Sequence, residues 1–545
     1  MKAEDLLQQS KKLFSAKESL NNLWQNIALN FYPERADFTV TRSLGTELAE
    51  DLATGTPVLL RRDLGNALGS MLRPTNKEWF HTRVDRWDTI GSEARAWLEM
   101  TEDRQRKAMY HKDTQFVRAT KEADHDFVTF GQAVMQATVN SRASGMLYRT
   151  WHLRDVAWEE NADGAIDTVY RRWSATARQL LQIFPKGLHP ETVLAAREQP
   201  FTKIPMLHCF TPNDKETQRM RFKSIYLDCL NEHIVEEVEM PYFEYIIPRW
   251  QTVSGSQYAY SPAVVVGTPD ARTLQEMTIT LLEAGEKAVS PPLLGVQGAL
   301  RSDVNVMAGG LTWVDREYDE RLGEVLRPLT IDKGGIPLGV DMSDRIEARL
   351  REAFYLDKLT LPPVGGPDMT AYEVGQRIQE HIRQTLPLFE PVETDYNAPI
   401  CELTFEILTR FGVFGSPFLV PEELRGKNVS FMFESPLHDA AEKAKAQRYL
   451  EAVSLVANAV AADPSVAFIL DNKKAARDAL QVSGVPNAWI RSEADVDAMA
   501  KAQEQQQQAA TLLEQMKAGS EVAKNIGLTP TPSGTGSTGE RPMPV

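Results

Sequence analysis

A segment rich in proline and glycine, lying between two strong helical patterns, constrains the fold of this chain most. Its residues are Leu361, Pro362, Pro363, Val364, Gly365, Gly366, Pro367 and Asp368. They do not continue a helix, because proline lacks a backbone N–H and glycine disfavours helical order. The segment is longer than a tight helix connection needs, and Leu361 and Val364 have no obvious core partner. Loops of this kind are often functional, so we predict a stiff, helix-free loop with a role of its own.

The helix that follows this loop has a clearly marked start. The Thr370 hydroxyl can accept a hydrogen bond from the Glu373 amide, and the Glu373 side chain can reach back to the Thr370 amide. Met369 and Val374 occupy the positions of a hydrophobic staple around this capping box. The pattern therefore predicts a helix that begins at Thr370.

Two further helices are predicted before the loop. Thr268-Pro269 suits an N-cap followed by proline at the first helical position, and Pro291-Pro292 ends that helix. Residues 293–340 contain many glycines and few helix signals. Ser343 then suits the N-cap of the next helix. The apolar stripe of that helix is Ile346, Leu350 and Phe354.

The rest of the chain predicts an α+β fold that is mainly helical. Apolar spacing favours one helix through residues 6–27, ended by Pro33, and further helices at 57–72, 93–110 and 113–140. Alternation favours strands at 79–84, 146–156 and 165–173, with a turn at 161–164, and a meander at 224–248. The last predicted helices are 437–462, 465–482 and 493–517. Residues 529–545 have the composition of a disordered tail.

Composition limits the classes of function. The 545 residues carry a net charge of −15, whereas proteins that grip nucleic acid by neutralising phosphates are normally basic. Tight, non-specific DNA binding is therefore not expected, although DNA could still slide past the surface. The three cysteines, Cys209, Cys229 and Cys401, form no C-x-x-C pair and indicate a reducing compartment. The acidic N-terminus predicts no signal peptide, and the apolar stretches are too short for a predicted membrane span.

Motifs that carry chemistry are missing from the sequence. It contains no G-x-x-x-x-G-K-[ST] phosphate cradle, no H-E-x-x-H spacing among its nine histidines, and no G-x-S-x-G elbow. Acidic pairs such as Asp319 and Glu320 are typical of a solvated face in a chain this acidic. The sequence therefore predicts no catalytic residue, no cofactor and no metal ligand, and hence no enzyme.

Five motifs, in this order along the chain, resemble the portal, or head-to-tail connector, family of short-tailed bacteriophages. The first is Arg61-Arg62-Asp63-Leu64-Gly65-Asn66-Ala67-Leu68-Gly69-Ser70-Met71-Leu72, followed by Pro74 and Trp79-Phe80. The others are Thr129-Phe130-Gly131, Gly145-Met146-Leu147-Tyr148-Arg149, Tyr258-Ala259-Tyr260-Ser261-Pro262-Ala263 and Asp368-Met369-Thr370-Ala371-Tyr372-Glu373-Val374. Tyr258-Ala259-Tyr260 departs from the Tyr-Gly pair expected there. Residues after about 440 carry little of the resemblance.

The resemblance implies an α+β portal fold with named regions. Residues 1–268 would form the wing, with a helical part and a β-rich part. The stem helices would be 269–290 and 343–358, with the clip at 291–342 between them. Residues 359–369 would be the tunnel loop, and 370–436 the wing helix and return. The helical crown would be 437–528 and the tail 529–545.

The resemblance also implies partners and a location. A ring of twelve copies would surround a channel for double-stranded DNA at the portal vertex of the virion, after assembly in the host cytoplasm. Its partners would be the terminase packaging motor, head–tail adaptor and tail proteins, the capsid and a scaffold protein, but no membrane. Twelve copies at −15 each carry about −180, which disfavours DNA adhering to the wall. Leu361 and Val364 would line the narrowest point.

Two other functions stay open from the sequence. One is a different structural virion or scaffold-like protein, which would not form rings with a central hole. The other is a multidomain hydrolase with an unrecognised site, in which one polar substitution would abolish activity.

Overall fold

The computed structural model describes residues 2–359 and 392–433, together with six positions between 496 and 505. Gaps occur at 44, 76, 85–89, 141, 214–219 and in several stretches between 297 and 333. The chain divides into two units, Met1–Ala444 and Lys445–Val545, and nearly all described residues belong to the first.

Helices form much of the first unit. In chain order they are α1 Ala3–Ala16, α2 Glu18–Phe31, α3 Thr56–Leu72, α4 Ser92–Met109, α5 Phe116–Phe130, α6 Ala177–Ile183, α7 Pro190–Glu198, α8 Thr268–Val289, α9 Gly335–Ala353, α10 Leu356–Leu359 and α11 Ala398–Arg410. Two π-turns, Ala263–Gly267 and Glu393–Asn397, directly precede α8 and α11.

The strands form antiparallel sheets. In chain order they are β1 Phe80–Val84, β2 Val134–Val139, β3 Met146–Trp151, β4 Val156–Glu160, β5 Ile166–Thr176, β6 Lys203–Pro212, β7 Phe222–Asp228, β8 His233–Met240, β9 Tyr245–Ile246, β10 Leu293–Gly295, β11 Leu326–Pro328 and β12 Val429–Phe433. Their order is β4-β5-β6-β7-β8 in the largest sheet and β3-β2-β9 in the next. Two ribbons pair β1 with β12 and β10 with β11. The α+β class is thereby confirmed.

The main core forms where α3 packs on α5. Leu60, Leu64, Leu68 and Leu72 recur every four residues on α3, and all four are buried. This spacing places them on one face of the helix. The helix ends before Pro74, as predicted from the sequence. The core continues into α2, β2, β3 and α11.

The five-stranded sheet is covered on both faces. On β6, Leu207 and Cys209 face the core that contains Leu6, Leu7 and Phe14 of α1. Phe210, of opposite parity on the same strand, belongs to the main core. Because successive side chains of a strand point to opposite faces, one strand serves two cores.

Several local predictions for the first part of the chain were wrong. The single helix predicted through residues 6–27 is two helices, because Lys17 breaks the helical order between α1 and α2. The helix predicted at 113–140 ends at Phe130, where Gly131 adopts a left-handed φ of +78°. A residue without a Cβ reaches this conformation without strain, and the chain then enters β2.

The predicted strands of the middle region were partly wrong. The turn at 161–164 joins β4 to β5, so the hairpin partner of β5 is Val156–Glu160 rather than the whole of 146–156. The N-terminal part of that stretch, β3, pairs instead with β2. The meander predicted at 224–248 is confirmed in β7 and β8. The sequence interpretation missed α6, α7 and β6.

The helix start predicted at Thr268 is confirmed, but the capping role of Thr268 and the start predicted at Ser343 were wrong. The π-turn Ala263–Gly267 runs directly into α8, and the Thr268 hydroxyl donates to the Ala263 carbonyl at 2.7 Å instead of capping. Helix α9 begins at Gly335, so Ser343 lies inside it. The stripe Ile346, Leu350 and Phe354 is confirmed, since all three side chains are buried.

Candidate functional site

Helices α8 and α9 form an antiparallel hairpin. Near one end, Arg349 of α9 donates to Asp270 of α8 at 2.9 Å. Farther along, Gly339 lies so close to Leu281 that a Cβ on it would be 2.7 Å from the leucine side chain. From the first pair to the second, the residue number rises along α8 and falls along α9, so the two helices are antiparallel. Beyond the helices, β10 and β11 extend the hairpin as an antiparallel ribbon.

The base of this hairpin is fixed to the main core. Phe354, at the end of α9, packs on Phe31 of α2 with ring centroids 5.4 Å apart. Gly267 fits between them, and a Cβ there would be 3.1 Å from Phe31 and 3.4 Å from Phe354. Gln275 adds hydrogen bonds to the backbone of Ala53 and Thr54. The two helices therefore leave the core at a fixed position.

The far half of the hairpin exposes apolar side chains. On α8, Ile279, Leu282 and Val289 share one face by their spacing, with exposed fractions of 41%, 64% and 88%. On α9, Leu338 and Met342 are four residues apart and also exposed. The ribbon and neighbouring residues contribute further exposed side chains: Leu293, Leu294, Val296, Trp313, Val314 and Leu329. Large exposed apolar patches mark interaction surfaces, so this half of the hairpin is the candidate functional surface.

The hairpin helices carry more negative than positive charge. Helix α8 has four carboxylates and two basic residues, and α9 has four carboxylates and three basic residues. Arg345 pairs with Asp341 of its own helix at 2.8 Å, and Arg349 with Asp270. Both arginines are therefore paired with carboxylates, which disfavours their contact with DNA phosphates.

The residues predicted to line a channel lie outside the described residues. These are Leu361, Pro362, Pro363, Val364, Gly365, Gly366, Pro367 and Asp368, with the predicted cap Thr370 and Glu373. The helices predicted at 437–462 and 465–482 also lie outside the described part of the chain.

Four of the five sequence motifs meet in the main core. The first motif lies on α3, and Thr129-Phe130-Gly131 ends the neighbouring α5. Ser261 donates its hydroxyl to the Thr129 carbonyl at 2.7 Å, which links the fourth motif to the second. Gly131 approaches the Tyr260 backbone so closely that a Cβ would be 2.5 Å from it. The third motif contributes β3, whose Tyr148 is fully buried.

A buried ion pair lies at the centre of this motif cluster. Arg73 donates to the Asp124 carboxylate and, at 2.7 Å, to the Asn397 side-chain oxygen. Its guanidinium also lies 4.6 Å from the centre of the Tyr396 ring. Burial alone lowers the pKa of Arg73, but the carboxylate of Asp124 outweighs this effect and raises it. The pair joins α3, α5 and the π-turn before α11.

Other buried polar groups in the first unit are also structural. Burial and the neighbouring Arg61 lower the pKa of His125 to about 4, so this imidazole is neutral at pH 7. His208 contacts the Ser224 hydroxyl at 2.9 Å and the Tyr245 hydroxyl at 2.7 Å. All three of these residues are buried, which leaves a substrate no access to the serine. This arrangement fixes two sheets rather than forming a nucleophile site.

The described residues contain neither a metal-binding cluster nor a membrane-spanning helix. No group of His, Cys, Asp or Glu there has the geometry to hold a metal ion. No helix there is long and apolar enough to cross a membrane. The three cysteines are free, and burial raises the pKa of the Cys229 thiol to about 11.

Comparison with known proteins identifies the family. A profile described as bacteriophage head to tail connecting protein matches residues 3–490. The chain belongs to this family. It is 23% identical over 541 residues to the probable portal protein of Bordetella phage BPP-1, which covers 96% of this chain and 95% of that one. It is 20% identical over 545 residues to the portal protein of Salmonella phage epsilon15, with 97% and 96% covered.

Membership of the head-to-tail connecting family confirms the function implied by the resemblance, a phage portal or head–tail connector. The family is structural rather than enzymatic. The match reaches residue 490, farther along the chain than the quoted motifs.

Sequence reasoning missed Asp124 and Arg73 as a structural pair. A signal was present in the sequence, because Asp124-His125-Asp126 interrupts an apolar helix pattern between Ala123 and Phe127. The structure shows that all three polar residues are buried. Charged residues are almost never fully buried unless they are paired, so this run predicts partners elsewhere in the chain.

Proposed function

We propose that this chain forms a ring of twelve copies, in which the α8–α9 hairpin of each copy is the stem around a central channel for double-stranded DNA. The observation that carries the proposal is the far half of the hairpin, where apolar faces of both helices are exposed in the single chain. In a ring, each subunit meets its neighbour through two different faces. An α8 face that packs on the α9 face of the next copy satisfies this requirement.

The regions of the proposed subunit follow from this assignment. The ribbon β10–β11 belongs to the clip, which faces the terminase packaging motor and later the head–tail adaptor. The main core and the five-stranded sheet form the wing, which faces the capsid and a scaffold protein. Residues 359–369 form the tunnel loop, 370–436 the wing helix and return, and 437–528 the crown.

The channel is proposed to be passive and gated. The excess of carboxylates on α8 and α9 supports a wall that does not hold DNA, because phosphate contacts would add friction. At 1.5 Å per residue, the 22 residues of α8 span about 33 Å, which suits a stem. Energy for packaging comes from the separate terminase, and the assembled protein resides at the portal vertex of the virion.

Electron microscopy of the purified full-length chain tests the ring directly. We expect round particles with a central hole and twelvefold symmetry in averaged images. A second measurement, mass photometry, gives the subunit number in solution. A compact monomer at every concentration and salt condition would overturn the proposal.

A loop replacement tests the gate. Replacing residues 361–368 with a short serine linker removes the apolar Leu361 and Val364 from the proposed narrowest point. We expect rings of normal appearance that package or retain DNA poorly. The matched control replaces the exposed residues 47–50, which include the apolar Leu48, with serine. Normal packaging and retention by the loop variant would contradict the gating role.

A further inference from the structure

An apolar loop follows α11 and exposes several of its side chains. Residues 411–420 read Phe-Gly-Val-Phe-Gly-Ser-Pro-Phe-Leu-Val and contain no charged side chain. Phe418 is 86% exposed, Leu419 69%, and Phe411 54%. The loop lies outside the hairpin, so the stem assignment does not account for it.

This loop is held in place by contacts on both sides. Phe414 is buried and packs on Phe405 with ring centroids 5.0 Å apart. Arg104 of α4 donates to the Val413 carbonyl at 2.8 Å. Arg425 donates to the carbonyls of Phe418 and Val420 at 3.2 and 3.0 Å. The exposed side chains of Phe418 and Leu419 are therefore presented by an ordered backbone, which lowers the entropic cost of binding.

A concave groove of matching character lies between α3 and α5. It has a volume of about 440 Å³, enough for a phenylalanine and a leucine side chain together. Gly65 and Gly69 form part of its floor, and Val117, 54% exposed, lies on its rim. The lining residues include one buried ion pair, Arg73 with Asp124, and one exposed charge, Lys121.

The loop and the groove lie at different places along α4. The loop contacts α4 at Arg104. Glu423, which follows the loop, accepts a hydrogen bond at 2.7 Å from the amide of Gly91 at the N-terminal end of α4. The groove is lined by Tyr110, just beyond the other end of this helix. With 18 residues, α4 is about 27 Å long. A head-to-tail contact between copies requires two distinct patches on each chain, and the loop and the groove are two such patches.

We propose that the 411–420 loop of one copy inserts Phe418 and Leu419 into the α3–α5 groove of the adjacent copy. This inference rests on the proposed ring and adds a second contact between neighbours, away from the hairpin. Charge supports a second copy as the occupant. Glu422, 91% exposed beside the loop and 3.9 Å from Arg425 of its own copy, would approach Lys121 on the groove rim.

One substitution on each side of the contact tests it. The double variant Phe418→Ser and Leu419→Ser removes the apolar insert, and Ser70→Trp fills the groove from an exposed position on α3. We expect either variant to lower the association constant for ring assembly roughly tenfold or more, as central apolar anchors do. The control is Phe201→Ser, a 76% exposed phenylalanine outside the contact, which should assemble within about twofold of wild type.

Cross-linking identifies the occupant. Val117→Cys and Ser416→Cys, an exposed loop position that leaves Phe418 and Leu419 in place, are made in separate chains with different tags and co-expressed, then treated with a short bismaleimide. We expect cross-linked dimers that carry both tags, few dimers with either variant alone, and none with wild type, whose cysteines are buried or half-buried. A wild-type chain that forms no rings would overturn the proposed function. A different result would overturn this inference alone: the wild-type chain forms rings, the Phe418→Ser and Leu419→Ser double variant assembles fully, and no mixed dimer is cross-linked.

Discussion

The α3–α5 core and the far half of the α8–α9 hairpin are built on the same pattern with opposite results. Leu64 and Leu68 lie four residues apart on α3 and are buried in the core where α3 packs on α5 and other helices. Leu338 and Met342 lie four residues apart on α9 and are 62% and 48% exposed. A stripe of this kind identifies the face of a helix that will be buried, but not whether the covering surface comes from the same chain. In this protein, the covered stripe stabilises the subunit and the uncovered one is available for assembly.

Breaking the buried ion pair should give the largest loss of stability. Asp124→Ala leaves the Arg73 guanidinium buried without a carboxylate, which costs about 3–5 kcal/mol in the free energy of unfolding. The matched control in the hairpin is Asp341→Ala, which removes the exposed pair with Arg345 and should change stability by less than about 0.5 kcal/mol. Urea denaturation of dilute, unassembled protein measures both. Equal losses of unfolding free energy in Asp124→Ala and Asp341→Ala would show that the buried pair stabilises the chain no more than the exposed pair does.

A cavity at the hairpin base should cost nearly as much. Leu350→Ala truncates a fully buried side chain between α9 and the core, for an expected loss of about 2–5 kcal/mol. Phe354→Leu, which keeps an apolar group at the same base, serves as the conservative comparison and should cost less. Chemical denaturation gives both values. A loss under 0.5 kcal/mol for Leu350→Ala would mean that the base is not packed as observed.

A buried carboxyl group outside both regions should make the stability of the folded chain depend on pH, with an effect of intermediate size. Burial raises the pKa of Glu244 from its ordinary value near 4.5 to about 7. The folded state therefore binds the proton more tightly, and its stability falls as pH rises from about 4.5 to 7. Glu244→Gln keeps a hydrogen-bonding group beside Gln136 and should stabilise the protein at pH 8 by on the order of 2 kcal/mol, but not at pH 4. Unfolding curves at both pH values test this, and a pH-independent difference would contradict it.

The smallest effect on stability should accompany the loss of hairpin packing between copies. Leu282→Ser changes a 64% exposed side chain, so the unfolding free energy of the single chain should move by less than about 0.5 kcal/mol. Ring assembly, followed by size-exclusion chromatography, should nevertheless be reduced. The control is Glu283→Ser, the adjacent exposed residue on α8. Normal ring assembly by Leu282→Ser would show that this face of α8 is not part of the interface.

Sequence patterns predicted the parts of the fold that depend on neighbours within one helix or hairpin. The four leucines of α3, the stop before Pro74 and the stripe from Ile346 to Phe354 are confirmed. The tunnel-loop residues and their cap stay predictions. The helix start at Thr268 is confirmed, but Thr268 does not cap it, because the π-turn already supplies helical backbone before this residue. Ser343 is a good N-cap locally, yet α9 already begins at Gly335. The Arg73–Asp124 pair and the exposed Phe418 depend on residues distant in the chain, which spacing alone does not relate.

The π-turn Ala263–Gly267 has a consequence for how the hairpin can change over time. A π-turn accommodates one residue more than an α-helical turn, and one residue corresponds to a rotation of about 100° about the helix axis. Gly267, the last residue of the turn, is held between Phe31 and Phe354 and continues directly into α8. Gain or loss of one residue would therefore be absorbed on the Pro262 side of the turn, and the outward face of α8 would keep its direction while the preceding segment changes in length.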